Sequence, residues 1–589
     1  MLNASVLFAV LCFLALLLFF SGLPNLRTCD LPTGTAETVD PSKKRMLERV
    51  LVLIVTLIYA FSAFWNLGNR QSPQSFILME GKAVVLEISD PATEQVLALF
   101  PGIGIGTYLI EYSDDAEGWF PQESFMQDHV AVLKWAFLPL NFDHAVRYIR
   151  IKCDSGNPWL GEVALLGSDG TEKTFLTAET RLCDEQDTVP AESDYLNSSY
   201  FDEIYHVRTA WEHINSIWPY EISHPPLGKE LISLGILLFG MTPFGWRFSG
   251  TMIGVLMIPV MYLFVRRLFS NGRAAVLSAI LLASGYMHYV QTRIATIDSF
   301  AVFFILLMYY FMYGWLTTGR RRELAFCGIA FGIGTACKWT CIYAGAGLAV
   351  LWLSFWICSF LREGKQAAPS FLKNAAFCII FFLAVPALIY YISYIPYGKA
   401  EGAAIFSKAY TRLVLENQRF MYQYHTSVVA EHPYSSRWYQ WVLNIRPILY
   451  YLAYLPEGKR VSIAAFVNPV ICWGGLISFL LLLYCAVCRK ERVAAFLVIA
   501  YLSGLVPWMF ITRLTFEYHY FASAVFLIPI IAYIFRIMEK NSRQGKAFTT
   551  CFTFAAVILF VCFFPVLNGL PVDNSLGSKL LAWLPSWPI

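Results

Sequence analysis

At 589 residues the chain is 57% hydrophobic, 16% aromatic and only 14% charged, a balance that excludes an ordinary soluble domain. Its net charge of +3 says little about partners, and no basic stripe or motif points to nucleic acid. The apolar residues fall in runs of about twenty, the length that carries a helix across a bilayer.

In chain order the hydropathy predicts spans near 4–22, 47–65, 245–265, 273–290, 298–316, 323–338, 340–360, 372–395, 463–487, 493–511, 516–535 and 548–565. This describes a polytopic α-helical membrane protein with about twelve transmembrane helices. Lys43-Lys44-Arg45, Arg266-Arg267, Arg320-Arg321-Arg322, Arg362 with Lys365, Arg489-Lys490 and Arg536 through Lys546 occupy alternate loops. The positive-inside bias makes those loops cytoplasmic and puts both long connections outside. The first apolar run has no basic residues before it, so it is expected to stay as a helix rather than leave as a signal peptide.

Four regions follow: 1–70 with two spans, an insert over 71–182, a linker and outer loop over 183–244, and a membrane core over 245–589 with an outer loop at 397–462. Within the insert, Ala83–Ile88, Thr107–Tyr112 and Tyr148–Lys152 are short apolar or alternating runs between turn residues, the pattern of an antiparallel sandwich. Tyr148–Lys152, Trp159–Val163 and Leu165–Gly167 resemble the C-terminal strands of discoidin-like, galactose-binding sandwiches. Such a module binds sugar or protein or simply caps the membrane domain, and the structural role is favoured. Cys153 and Cys183 are the one pair that a disulfide suits, and a reduced pair fits equally. The other cysteines lie mostly in apolar spans as small hydrophobes. Residues 183–200 are polar, with an Asn197-Ser198-Ser199 sequon. Helical spacing resumes at Ile204, Val207, Ala210-Trp211 and Ile214, placing Asp202 at a helix start. In the second outer loop Ile405–Tyr424 is amphipathic, and the aromatic run to Trp441 suits an interfacial belt.

Six motifs occur in order: Phe201-Asp202-Glu203, His224-Pro225-Pro226-Leu227-Gly228-Lys229, Thr292-Arg293 through Asp298, Lys338-Trp339, His432 through Tyr439, and Phe516-Glu517-Tyr518-His519-Tyr520. Together they closely resemble the protein O-mannosyltransferase family, over nearly two thirds of the chain. The resemblance implies a GT-C-type membrane glycosyltransferase whose acidic pair is the catalytic signature and whose donor is a polyprenyl-phosphate sugar. The insert, the additional first span and a 397–462 loop too short for a β-trefoil depart from the eukaryotic enzymes. They favour a bacterial branch, in the plasma membrane, with the site on the extracytoplasmic side.

The chemistry can be derived without the family. A sugar on a lipid phosphate has a good leaving group already, so the needs are a base for the acceptor hydroxyl and cations for the phosphate. Asp202 is the candidate base, with helix capping as the competing role. Glu203 would orient the acceptor or a neighbouring cation. Ionisable residues close to hydrocarbon are costly and tend to be functional or mutually paired. Arg293 therefore either pairs with Asp298 or faces phosphate, and Lys338 has the same two readings. Lys229 either binds phosphate or snorkels to water. His224 is expected to position by hydrogen bonding, with Arg513, Tyr518 and His519 completing the donor site. His432, Arg437 and Trp438 form an acceptor or interface loop. No metal-ligand spacing is present, so neither metal nor cofactor is expected. The partners are then the lipid-linked sugar, an exported protein acceptor and the bilayer. The expected reaction is inverting transfer of a hexose, most consistently mannose, to Ser or Thr. Transfer of another sugar or aminosugar to a lipid or glycan is the alternative, and a transporter or scaffold is disfavoured because the charges gather at the outer ends of the spans.

Overall fold

The computed structural model describes residues 41–167, 172–173, 181–427, 431–540 and 542–588; the run at 4–22 lies outside them. The chain forms two compact units.

One unit comprises Asn66–Glu221 and Lys229–Ser249. Its strands are β1 (Ile77–Leu78), β2 (Ala83–Glu87), β3 (Glu94–Pro101), β4 (Gly106–Ser113), β5 (Phe120–Gln127), β6 (Ala136–Asn141), β7 (Tyr148–Gly156), β8 (Trp159–Gly167) and β9 (Glu172–Lys173). They make two antiparallel sheets, ordered β1-β8-β3-β6 with β9 on β8, and β2-β7-β4-β5. Because side chains alternate across each strand, Leu86, Tyr108, Ile110, Ile149 and Ile151 of one sheet meet Leu97, Leu99, Leu140, Leu160, Val163 and Leu165 of the other in a single core. Cys153 and Cys183 both adjoin this core, and both are free thiols.

The polar stretch before the acidic pair is not a loose linker. Leu182 enters the sandwich core, and its carbonyl accepts from Val163 N at 2.7 Å. Ser199 donates through its amide to the Leu133 carbonyl and through Oγ, at 2.6 Å, to that of Val132. Its polar groups are consumed locally: Asp194 Oδ1 accepts from the Leu196 and Asn197 amides, and Asn197 Nδ2 donates to the Glu192 carbonyl. Asn197 is therefore buried, and the sequon is not presented at the surface. The helix Glu203–Ile214 follows, its Trp211 ring edge-on to Phe76 and Trp159.

The second unit holds the chain to Trp65, Ile222–Gly228 and Gly250–Ile589. Among the described residues seven helices are long and apolar enough to cross a membrane, or up to nine counting two bent pairs as single spans, Gly272–Ala283 with Tyr286–Arg293 (54°) and Glu517–Ala524 with Leu527–Glu539 (41°). The run Thr340–Ala400 is 61 residues long, too long for one crossing of about twenty residues. It turns at Gly364–Ala367, so it contains both runs expected at 340–360 and 372–395. The helix Arg321–Cys337 has 17 residues. It stops where Lys338 adopts an extended backbone (φ −158°, ψ 137°) before Thr340–Glu363 begins.

One expected span is shorter at its start. Residues 463–487 become the helix Pro469–Val487 preceded by the strand Lys459–Ala465, which pairs with Ile448–Leu455 and with Val572–Asp573. Apolar β-branched and aromatic residues satisfy a strand as well as a span, and Pro469 sets the helix start.

Candidate active site

The acidic pair opens a helix through a strained residue. Phe201 sits in the left-handed region at φ 50°, a conformation costing a non-glycine residue about 1–2 kcal/mol and concentrated at functional sites. Asp202 follows in the N-cap position, but its side chain makes no capping hydrogen bond. Its carbonyl, not its carboxylate, takes the Tyr205 and His206 amides. The half-buried carboxylate is thus not held as a cap.

Glu203 has a different environment. It is fully buried and grips Arg247 with both oxygens, at 2.7 and 2.8 Å. The same guanidinium donates to the carbonyls of Leu67, Tyr195 and Ser198 and lies over the Tyr200 ring. Of the two roles expected for Glu203, the structure gives it the orientation of a cation. Arg247 escaped the sequence reading, though a lone cation at the head of an apolar run is the same signal that singled out Arg293.

Lys229 does not snorkel to water. Its ammonium is fully buried and donates to the Glu221 carboxylate at 2.5 Å and to the Glu221 carbonyl at 2.9 Å. Arg293 is also buried, and it does not make the pair with Asp298. It donates to the carbonyls of Ala63 and Trp65, closing the C-terminal end of the helix Pro41–Phe64, and lies over Tyr289. Cations at a helix C-terminus satisfy its orphan carbonyls. Both residues are thus anchored by groups of the protein itself.

The other donor-site residues do converge, all within the membrane unit. Lys338 Nζ forks onto Asp298 at 2.7 and 2.9 Å and sits 5.6 Å from the centre of the Tyr518 ring. Tyr518 stacks on His519 at 4.4 Å, and Trp508 and Trp441 wall the imidazole. The loop bearing His432, Arg437 and Trp438 is tied to Arg513–Tyr520 where Ser436 N donates to the Thr515 carbonyl and Thr515 Oγ1 returns a bond to the Ser436 carbonyl. His432 meets Phe516 edge-on at 5.0 Å, while Arg437 is exposed and Trp438 packs on Tyr439.

A further imidazole joins this group. His425, near the end of the helix Lys408–Ser427, donates Nε2–H to the Ser223 carbonyl at 2.8 Å, and its ring lies 5.2 Å from His224 and 6.1 Å from Trp339. Burial first, then the positive charges of His224, Arg513 and Lys338, push its pKa down to about 4. His425 is therefore an uncharged imidazole beside the positive charges of Arg513 and Lys338. Gly228, in the first turn of the helix Leu227–Phe239, permits a close approach to Ile297, since a Cβ there would lie 2.6 Å from it. Nothing in an amphipathic run ending in Tyr424-His425 distinguished this His from a solvated one.

Among the described residues one carboxylate group, Glu162, Asp184 and Glu185, brings its oxygens within 4.8 Å of one another. It belongs to the sandwich, where Glu162 accepts the Val163 and Glu185 amides and Glu185 accepts that of Gln74. These carboxylates serve as turn caps.

Helices of this length and apolarity define an integral-membrane protein. Residues 223–390 match the family model for dolichyl-phosphate-mannose-protein mannosyltransferase, and residues 410–587 that for the C-terminal four-TMM region of protein-O-mannosyltransferase. The chain belongs to the protein O-mannosyltransferase family. Similar proteins include the polyprenol-phosphate-mannose–protein mannosyltransferases of Mycobacterium tuberculosis, 24% identical over 66% of this chain and 86% of that one, and of Corynebacterium glutamicum, 25% identical over 66% and 88%. The fold resembles that in the donor-bound Saccharomyces cerevisiae Pmt1-Pmt2 complex, with a TM-score of 0.58 and 13% identity over 66% of this chain and 89% of that one.

Proposed function

We propose that this protein transfers mannose from polyprenyl-phosphate mannose to Ser or Thr hydroxyls of exported proteins, with inversion, on the extracytoplasmic side of a bacterial plasma membrane. The observation that carries the reading is the cluster of Lys338, Arg513, His224 and His425 beside Tyr518, set in a family whose bacterial relatives are named for this donor. Phosphate departs as a stable leaving group, so the cations stabilise the charge that accumulates as the glycosidic bond breaks. Asp202 takes the acceptor proton as the hydroxyl oxygen attacks the anomeric carbon from the opposite face. The sugar is thereby transferred in one displacement, and the reaction draws on no metal.

The test is incubation of the purified full-length protein with polyprenyl-phosphate mannose, and separately with polyprenyl-phosphate glucose, in the presence of a Thr-containing peptide. Mannose alone should reach the peptide, as the α-linked product from a β-linked donor. Transfer of glucose only, or of mannose to lipid but not peptide, would overturn the reading.

A further inference from the structure

The hairpin of Ile448–Leu455 and Lys459–Ala465 takes no part in the chemistry above. Its second strand is the inner one, paired with Val572–Asp573 and packed on the helices Tyr286–Arg293 and Arg543–Asn568. In the first strand, Leu452–Leu455 ladder onto Lys459–Ser462 on one side, and no strand adjoins them on the other among the described residues. This outer half is accessible, with Leu452 40% and Tyr454 72% exposed, whereas Ile448, Leu449 and Tyr450 are buried.

A register shift between Leu449 and Tyr451 sets Tyr450 apart from the ladder. Bulges commonly re-aim a side chain next to a site. Here the Tyr450 hydroxyl donates to Gln291, and its ring lies 6.4 Å from that of Tyr518. One strand therefore runs from the accessible surface to the ring that faces Lys338.

We propose that the acceptor polypeptide docks in extended form on this edge, adding a strand beside Leu452–Leu455. At ~3.3 Å per residue, a Ser or Thr roughly two to five residues further along the peptide would lie level with Tyr450. The inference rests on the protein-acceptor reading given above. An open strand edge presents backbone donors and acceptors to any extended chain. An exported chain that has not yet folded offers the matching groups, whatever its side chains. Recognition through the main chain leaves the acceptor sequence broadly free.

The experiment uses the full-length protein, polyprenyl-phosphate mannose and a set of twelve-residue peptides with one Thr, each methylated at a single backbone nitrogen. Methylation removes a ladder donor, and successive donors on a strand point to opposite edges. KM should rise about tenfold or more at alternate positions on one side of the Thr, with kcat changed less than about twofold. In parallel, a Tyr454→p-benzoylphenylalanine variant should crosslink to the unmodified peptide on illumination. Transfer that is insensitive to every methyl group, or crosslinking to lipid or a second copy of the chain instead of the peptide, would overturn strand addition alone. Absence of transfer to the unmodified peptide would overturn the acceptor reading and this inference with it.

Discussion

Asp202 and Glu203 are consecutive carboxylates, and their surroundings separate their chemistry. Asp202 is half-buried with no capping bond, whereas Glu203 is sealed against Arg247. Asp202→Asn should lower turnover by about 10²-fold or more, the range for a general base, with donor binding and thermal stability unchanged. An Asn variant that keeps full turnover would end its candidacy. Glu203→Ala strands a buried guanidinium, which costs about 3–5 kcal/mol, so folded yield should fall before any kinetic effect is seen. The same separation applies to the cations. Lys338→Ala leaves the buried Asp298 carboxylate unpaired, so folded yield should fall, and the surviving protein should bind donor about tenfold or more weaker, the scale of a charged hydrogen bond. Lys229→Ala and Arg293→Ala should lower folded yield while the surviving protein binds donor normally. Titrating a fluorescent polyprenyl phosphate against each variant distinguishes these outcomes. The sequence marked all of these residues through the cost of charge near hydrocarbon. It could not choose their partners, because Glu221 and the carbonyls of Ala63 and Trp65 look no different in sequence from many others.

The helix Lys408–Ser427 contributes a pH dependence through His425. An unfolded imidazole titrates near 6.5, while burial and the charges of His224, Arg513 and Lys338 hold this one at about 4 against the opposing Ser223 carbonyl. Between about 4 and 6.5 the unfolded chain therefore binds a proton that the folded chain does not. Stability gained above this window is lost as pH falls through it. His425→Gln should flatten that part of the slope, as followed by melting temperature in detergent from about pH 4.5 to 7. A slope identical to that of the parent protein would remove His425 from the account. Among elements, the single polar break at Lys338-Trp339 was enough to separate two helices, since only one apolar turn was missing. The hairpin was hidden because Ile448–Leu455 and the residues after Lys459 are apolar enough to merge into the next span, and strand pairing is a long-range property.

At the scale of the molecule, the two compact units were partly legible. Strand alternation and turn residues located the sandwich, and the helical spans followed from length. The extent of the sandwich unit was not legible, because it is set by contacts of 181–200 with Val132, Leu133 and Trp135 and by Lys229–Ser249. Those contacts tie the insert to the segment that precedes the acidic pair. Deleting 73–182 would take Val132 and Leu133 from Ser199 and Trp135 from Ser198, so folded yield, donor hydrolysis and peptide mannosylation should fall together. A deletion protein that hydrolyses donor at the parent rate but glycosylates no peptide would assign the insert to acceptor guidance instead.

Arg247 gathers the carbonyls of Leu67, Tyr195 and Ser198 together with Glu203, and it is the last of these groups to be synthesised. The acidic loop is therefore built around a keystone that arrives late. While the ribosome is still adding residues before 247, the sandwich can already close its own core, but the carbonyls of Leu67, Tyr195 and Ser198 have no donor to converge on. Assembly of the acidic loop is in this way timed to the emergence of the helix Pro243–Phe269.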